Sequence, residues 1–238
     1  MDIIENVHKQ KIGWLHNMAG IDWTRVLQDE GYEPHLYTLD NEKSGVTMLG
    51  GIDVGQGNKD KLYGIIDGLE IPADKSSVFK GVIDKVSGLK GKAAITAFNK
   101  LSDDEKNTTS VFLEKYGGQI QGVYNKNEET NIADTYNKIA GKTGMQFEEL
   151  DTKWKNVIAS TYHQYGAEGV SNQSLYGQIA SGDITGAIKN LNNWGDRTDQ
   201  YAESINNRYA RYGTELAEDL LMNNMLQQDK PIIPNGEK

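Results

Sequence analysis

One stretch of the chain decides its fold, and it reads Ser44-Gly45-Val46-Thr47-Met48-Leu49-Gly50-Gly51-Ile52-Asp53-Val54-Gly55-Gln56. It begins with a short apolar and β-branched run, and His35-Leu36-Tyr37-Thr38 precedes it across a polar turn at 40–43. Two such runs on either side of a turn predict a β-hairpin. The glycines at 50, 51, 55 and 57 indicate that the backbone turns sharply there or passes close to another part of the chain.

The rest of the sequence has mainly helical periodicity. The clearest helix spans 151–165, with Asp151 or Thr152 as its N-cap and Gly166 after its end. Ser102-Asp103-Asp104-Glu105 has the spacing of a capping box and predicts a helix over 102–116. Further helices are predicted over 3–18, 21–29, 59–68, 128–140, 172–180, 183–192 and 199–224. The predicted fold class is α+β and predominantly α-helical, with one small hairpin.

Composition excludes several classes of function. The chain has 238 residues with 25 Lys+Arg against 34 Asp+Glu, a net charge of −9, which argues against a nucleic-acid binder because no basic excess neutralises phosphates. The absence of cysteine excludes disulfides, thiolate metal sites and cysteine nucleophiles. No stretch approaches the run of about 18 apolar residues of a membrane helix, and no signal peptide is evident. We therefore expect synthesis in the cytoplasm and no membrane insertion.

Familiar ligand motifs do not fit this sequence. Gly141-Lys142-Thr143 resembles the end of a phosphate-binding loop, but Tyr136 stands where that loop needs glycine. Asp40-x-Glu42-x-Ser44-Gly45 opens like a calcium loop, yet Gly51 stands at its twelfth position. The four histidines do not have paired ligand spacing with a carboxylate. We expect no metal and no cofactor.

Acidic residues around the hairpin are the candidates for chemistry. Glu30 ends a short helical stretch, Asp40 lies in the hairpin turn, and Asp53 follows the second strand, which carries the Thr47 hydroxyl. Glycoside hydrolysis needs two carboxyl groups, of which one donates a proton and one acts as an ionised base or nucleophile. Spacing alone favours a solvated acidic surface as the explanation, because the chain has 34 acidic residues.

The same residues resemble a known family. Glu30-Gly31, Leu36-Tyr37, Asp40 and the stretch from Ser44 to Thr47 resemble the active-site segment of phage-type lysozymes, glycoside hydrolase family 24. The 44–56 stretch is more similar still to the pesticin branch, whose Ser-Gly-Val-Thr-Ile-Gly-x-Gly-x-Asp-x-Gly-Gln pattern carries the catalytic Thr and Asp.

Two later segments also resemble this family. The first comprises 157–160 and Gln164-Tyr165-Gly166, and the second comprises Ile179 and Gly182-Asp183 to Trp194, followed by Arg197 and Arg208. The resemblance covers most of 25–220, except for 60–145, which we interpret as a helical elaboration. It implies a lysozyme-like domain over 1–226, with a hairpin lobe at about 30–58 and a helical lobe at about 90–226, before a flexible tail at 227–238.

The resemblance also implies roles for individual residues. Glu30 corresponds to the general acid, and Thr47 with Asp53 to the pair that positions and activates water in an inverting hydrolysis. Gln164 corresponds to a residue that borders the glycan cleft, and Tyr37 and Asp40 are further substrate-binding candidates. Asp40 is the alternative second carboxylate, because classical phage lysozymes use an Asp before the Thr.

The implied activity is that of a muramidase, which cleaves the β-1,4 bond between N-acetylmuramic acid and N-acetylglucosamine. Such a protein is an endolysin, a bacteriocin or a secreted antibacterial effector. We expect a monomer that acts on peptidoglycan strands in the periplasm or cell wall, with a cognate immunity protein or a delivery domain as its other partner. The alternatives are a chitosanase-like hydrolase, a non-catalytic wall-binding homologue, and a structural or immunity protein.

Two features depart from the family pattern. Leu49 stands where the family has glycine, so the end of the second strand differs. The charge of −9 opposes the approach to an anionic cell wall. A local basic rim formed by Arg197, Arg208 and Arg211 would offset that repulsion.

Overall fold

The computed structural model describes residues 20–39, 43–56, 58–171, 174–194 and 202–228. Its strands are β1 (Glu33–Thr38), β2 (Val46–Leu49) and β3 (Ile52–Asp53). Its helices are α1 (Trp23–Glu30), α2 (Lys59–Gly68), α3 (Ala73–Val86), α4 (Gly91–Asn99), α5 (Asp103–Ala140), α6 (Thr152–Ser171), α7 (Ser174–Ser181), α8 (Ile184–Asn192) and α9 (Ala202–Gln228). Single 3-10 turns cover Val54–Gln56 and Phe147–Glu149. The predicted α+β, predominantly helical class is confirmed.

The predicted helix N-caps are also confirmed. Ser102 and Glu105 form a reciprocal capping box, in which the Ser102 N–H donates to Glu105 Oε2 at 2.9 Å and the Glu105 N–H donates to Ser102 Oγ at 3.2 Å. Asp151 is the cap of α6, since its Oδ1 accepts from the Trp154 N–H at 3.0 Å. Gly166 interrupts α6 with a φ of 68°, so the helix breaks where the sequence predicts.

The helix predictions are wrong in one region and incomplete in another. The predicted helices 102–116 and 128–140 are parts of one helix, α5, which continues through Gly117, Gly118 and Gly122. A Cβ atom at Gly117 would lie 2.6 Å from Leu49 Cδ2, so close packing explains a glycine in this helix. Helices α3 and α4 were not predicted. The helix predicted over 3–18 lies outside the described residues, as does the tail from 229 onwards, whereas 227 and 228 end α9.

The described chain forms two compact units, one of residues 21–132 and the other of residue 20 with the described residues from 133 onwards. The boundary falls within α5. It does not coincide with the lobes predicted at 30–58 and 90–226, which stay a prediction. Among the described residues, no helix is long and apolar enough to span a membrane.

The first unit contains an antiparallel sheet in the order β1-β2-β3. Leu36, Met48 and Ile52 are paired across its strands and are buried in a hydrophobic cluster that includes residues of α2, α3, α4 and α5. Phe79 and Phe112 stack in this cluster with ring centroids 4.3 Å apart. Strand β3 was not predicted, because two residues are too few to show an alternating pattern.

The second unit has an aromatic core. Trp194 packs on Tyr209 with ring centroids 4.4 Å apart, and its Nε1–H donates to Tyr165 Oη at 2.9 Å. Tyr176 is fully buried, and its hydroxyl donates to the Ile158 carbonyl at 2.8 Å. These polar contacts satisfy ring atoms that would otherwise be buried without a hydrogen bond.

The close approach that the glycines of the 44–56 stretch indicate is present in the structure. A Cβ atom at Gly55 would lie 2.2 Å from the Leu89 carbonyl oxygen and 2.6 Å from Gly45 Cα, and a Cβ atom at Gly45 would lie 2.4 Å from Gly55 Cα. The backbones of the two segments therefore touch without room for a side chain. The obstructing atoms belong to the backbone, so they cannot move aside as a flexible side chain would.

We therefore expect Gly55→Ala to lower the free energy of unfolding by about 3 kcal/mol, the upper part of the range for overpacking. Urea denaturation of the purified protein measures this change. The control is Gly81→Ala in α3, where no atom lies within 4 Å of the new Cβ. That substitution should raise the free energy of unfolding by about 0.5–1 kcal/mol through helix propensity. Equal changes in the free energy of unfolding for the two substitutions would contradict the close contact at Gly55.

Candidate functional site

Three of the candidate residues lie side by side across the sheet. Tyr37 pairs with Thr47 between β1 and β2, and Thr47 pairs with Asp53 between β2 and β3. Directly opposed residues of antiparallel strands point to the same face, with Cβ atoms about 4.5–5.5 Å apart. The register therefore places Tyr37, Thr47 and Asp53 in one row, on the face opposite to that of Leu36, Met48 and Ile52.

The Asp53 carboxylate is held by donors from the chain on both sides of it. Its Oδ2 accepts from the Gly45 N–H and from Gln56 Nε2, both at 2.9 Å, and its Oδ1 accepts from the Gly55 N–H at 2.8 Å. The Asn58 side chain also donates to the Asp53 carbonyl at 2.8 Å. A carboxylate has about four lone-pair positions, so these three donors fix its orientation and leave a position for one more, such as water.

The Thr47 hydroxyl, on the strand paired with that of Asp53, has no hydrogen-bond partner among the described residues. Thr47 is only 4% exposed, and its Oγ1 forms no hydrogen bond to any residue that the structure describes. An unsatisfied buried hydroxyl costs about 1–3 kcal/mol. A water molecule hydrogen-bonded to Thr47 Oγ1 would remove this cost.

Glu30 is placed through the helix that carries it. It is the last residue of α1, and its side chain lies outside what the structure describes. One turn earlier, Leu27 packs against the link between β2 and β3, since a Cβ atom at Gly50 would lie 2.2 Å from Leu27 Cδ2. Helix α1 therefore contacts the turn that joins the strands of Thr47 and Asp53.

The other two candidates cannot be compared with this row. Asp40 lies outside the described residues, so its position as an alternative carboxylate stays a prediction. Gln164 is a half-buried residue of α6 and belongs to the second unit. The assembled part of the candidate site therefore consists of Tyr37, Thr47 and Asp53.

Two buried amides that the sequence does not single out position this row. Gln121 on α5 is 3% exposed; its Oε1 accepts from the Gly50 N–H at 2.9 Å, and its Nε2 donates to Asn125 Oδ1 at 2.6 Å. This buried pair anchors the β2–β3 turn to α5. The only signal in the sequence is the spacing of two amides four residues apart, which equally describes an exposed helix face.

Leu49, the departure from the family pattern, has an unusual backbone conformation. Its φ is 52°, in the left-handed region that favours glycine and costs other residues about 1–2 kcal/mol. The side chain is nevertheless fully buried, because Gly117 on α5 leaves space for it. The packing of the Leu49 side chain offsets this backbone strain, whereas a glycine at this position would have neither the strain nor the packing.

The surroundings of the row are polar and aromatic. His35 lies 3.6 Å from a Glu33 carboxylate oxygen, and its ring meets that of Tyr37 edge-on, with centroids 6.2 Å apart. Burial raises the pKa of Tyr32 above its usual range. Within the described ranges, no group of three histidines or carboxylates could hold a metal ion.

Comparison with known proteins identifies the family. The curated proteins contain no match, but a family model described as "Pesticin: Bacterial toxin homologue of phage lysozyme, C-term" matches residues 20–184. The matched region contains α1, the whole sheet and α6. It confirms the resemblance carried by the 44–56 stretch and agrees with a lysozyme-like α+β fold. Since more than half of the chain matches, the chain belongs to the pesticin family of bacterial toxin homologues of phage lysozyme.

Proposed function

We propose that this protein is a muramidase that hydrolyses the β-1,4 bond between N-acetylmuramic acid and N-acetylglucosamine in peptidoglycan. The observation that carries the proposal is the pair of Thr47 and Asp53 on opposed strands, in which the buried Thr47 hydroxyl has no partner among the described residues and the Asp53 carboxylate is oriented by its donors. Such a pair is suited to binding one water molecule. Membership of a family of lysozyme homologues supports the same reaction class.

In the proposed mechanism, water bound to Thr47 Oγ1 gives a proton to the Asp53 carboxylate while its oxygen attacks the anomeric carbon. The bond from that carbon to the leaving oxygen breaks, and Glu30 gives its proton to that oxygen. Attack from the face opposite to the leaving group inverts the configuration at the anomeric carbon. The donors from Gly45, Gly55 and Gln56 keep Asp53 oriented, so that little reorganisation accompanies the reaction.

The family description favours a toxin among the three expected roles. A bacteriocin or a secreted effector fits a "bacterial toxin homologue" better than an endolysin does. In that role the protein is made in the cytoplasm and acts as a monomer in the periplasm or cell wall. Its partners are the peptidoglycan strand, a delivery domain or machinery, and an immunity protein in the producing cell.

A chitosanase-like activity is the second candidate, because of the charge. A net charge of −9 attracts a cationic glucosamine polymer and repels the anionic wall. Digestion of chitosan and of purified peptidoglycan side by side distinguishes the two substrates. If only glucosamine oligomers are released, from chitosan, the substrate is chitosan and the muramidase proposal is wrong. Peptidoglycan products with a reducing N-acetylmuramic acid end would establish muramidase action.

Glu30→Gln should reduce peptidoglycan hydrolysis by about 10²–10⁴-fold, because it removes the proton donor. The rate of release of soluble fragments from purified sacculi, with mass spectrometry of the products, measures the effect. Glu33→Gln is the matched control, since it makes the same change at an exposed carboxylate on β1. Equal rates for wild type and Glu30→Gln would contradict the assignment of Glu30.

Thr47→Val should separate activity from stability. It removes a buried hydroxyl without a described partner and keeps the shape of the side chain, so the free energy of unfolding should rise by about 1 kcal/mol. Hydrolysis should fall by about 10²-fold, because the water loses one of its partners. Thr109→Val on α5 is the control: Thr109 is 1% exposed, and its hydroxyl also lacks a described partner. We expect Thr109→Val to be stabilised and to keep normal activity. Normal activity of Thr47→Val would contradict the role of Thr47.

Asp53→Asn should abolish hydrolysis, whereas Asp40→Asn should leave most of it. The amide that replaces the Asp53 carboxylate has one accepting oxygen instead of two, so it cannot satisfy all of the donors from Gly45, Gly55 and Gln56. The free energy of unfolding should therefore also fall by about 1–3 kcal/mol. Hydrolysis rates and urea denaturation of both variants measure these effects. The reverse order of activities would assign the second carboxylate to Asp40.

A further inference from the structure

A groove of about 640 Å³ lies along α4 and the end of α3. Its floor includes Leu89, Ala97 and Leu101, and its rim carries Lys85, Lys92 and Lys100. We call these six residues the lysine groove. The volume lies within the range of about 300–1,000 Å³ that is typical of ligand pockets, and the lining contains no acidic residue.

The lysine groove has a charge opposite to that of the rest of the chain. The segment 85–101 contains four lysines and no acidic residue. Because the whole chain carries −9, the remaining residues together carry −13. Asp84 precedes this segment and Asp103, Asp104 and Glu105 follow it, so most of the chain repels a polyanion. Only groups that reach the lysine ammonium groups directly are attracted, since charges further apart than about 10 Å are screened at moderate salt.

Two of the rim lysines are available to a ligand. The Lys85 ammonium forms an ion pair with Glu105 and is already neutralised. Lys92 and Lys100 are exposed, and within the described part of the chain neither forms an ion pair with a carboxylate. Lys92 lies in the first turn of α4 and Lys100 directly follows its last residue, so the two flank the apolar floor.

The lysine groove is joined to the backbone that holds Asp53. Leu89 lines the groove, and its carbonyl oxygen lies close to Gly55. The Gly91 N–H donates to the Ser44 carbonyl at 2.9 Å. The Gly88 N–H donates to the Val54 carbonyl at 3.3 Å. The link between α3 and α4 thus packs on the two segments whose N–H groups bind the Asp53 carboxylate, so the groove adjoins the candidate site.

We propose that the lysine groove binds the anionic peptide side chains of the peptidoglycan whose glycan strand is cleaved at Asp53. This inference rests on the proposed function: the glycan strand binds at Asp53, and the peptide side chains bind in the lysine groove. The peptide side chains carry carboxylates, which the ammonium groups of Lys92 and Lys100 attract, and alanine methyl groups, which suit an apolar floor. The lysine groove thereby offsets the repulsion between an acidic protein and an anionic wall.

The test compares two variants that change the net charge equally. Lys92→Glu/Lys100→Glu reverses the charge of the rim, and Lys126→Glu/Lys142→Glu reverses two exposed lysines outside the groove. Each is assayed on intact sacculi and on glycan strands from which an amidase has removed the peptides. For the groove variant we expect KM on sacculi to rise about tenfold at low salt and less at high salt, with kcat unchanged. On stripped strands its KM should equal that of the control variant.

The other outcomes overturn the proposal. An equal rise of KM in both variants on sacculi would mean that net charge alone acts, and an equal rise on stripped strands would mean that the groove does not recognise peptides. Co-sedimentation of the same variants, each with Glu30→Gln, with both polymers measures binding without hydrolysis. If wild type cleaves neither polymer, the muramidase proposal fails, while co-sedimentation still shows whether the groove binds peptide-bearing sacculi.

Discussion

The contact between the backbones of Gly45 and Gly55 is the constraint on which the candidate site depends. It brings two N–H groups from separate segments to one carboxylate, that of Asp53. The α3–α4 link packs against the same two segments, since the Leu89 carbonyl oxygen lies close to Gly55 and the Gly91 N–H donates to the Ser44 carbonyl. A charged side chain that is only 9% exposed is thus satisfied mostly by backbone, which is less mobile than side-chain donors. The geometry of Asp53 follows from the path of the chain.

Thr47 and Asp53 are both buried polar residues, but they contribute to stability in opposite ways. The Asp53 carboxylate has three donors, from Gly45, Gly55 and Gln56, whereas the hydroxyl of Thr47 has no partner among the described residues. Natural proteins tolerate such unsatisfied groups mainly where a function needs them. The site therefore combines a rigid carboxylate with one group whose hydrogen bond is left for a bound molecule.

The sequence predicted strand β2 of the candidate site better than the elements that pack against it. The 44–56 stretch identified β2 and the glycine contact, because β-branched residues and glycines have strong local preferences. It could not show β3, since two residues carry no period, nor the anchoring of Gly50 by Gln121, which is distant in sequence. The prediction divided α5 in two, because a glycine that packs closely, such as Gly117, looks the same in sequence as a glycine that ends a helix.

Leu49 and Gly117 form a complementary pair with a consequence for how this family varies. The leucine fills a space that exists only because α5 has no side chain at 117, and it does so in a conformation that glycine adopts freely. The two positions are therefore coupled. We expect a relative with glycine at the position of Leu49 to carry a side chain in place of Gly117, because the space in the core would otherwise stay unfilled.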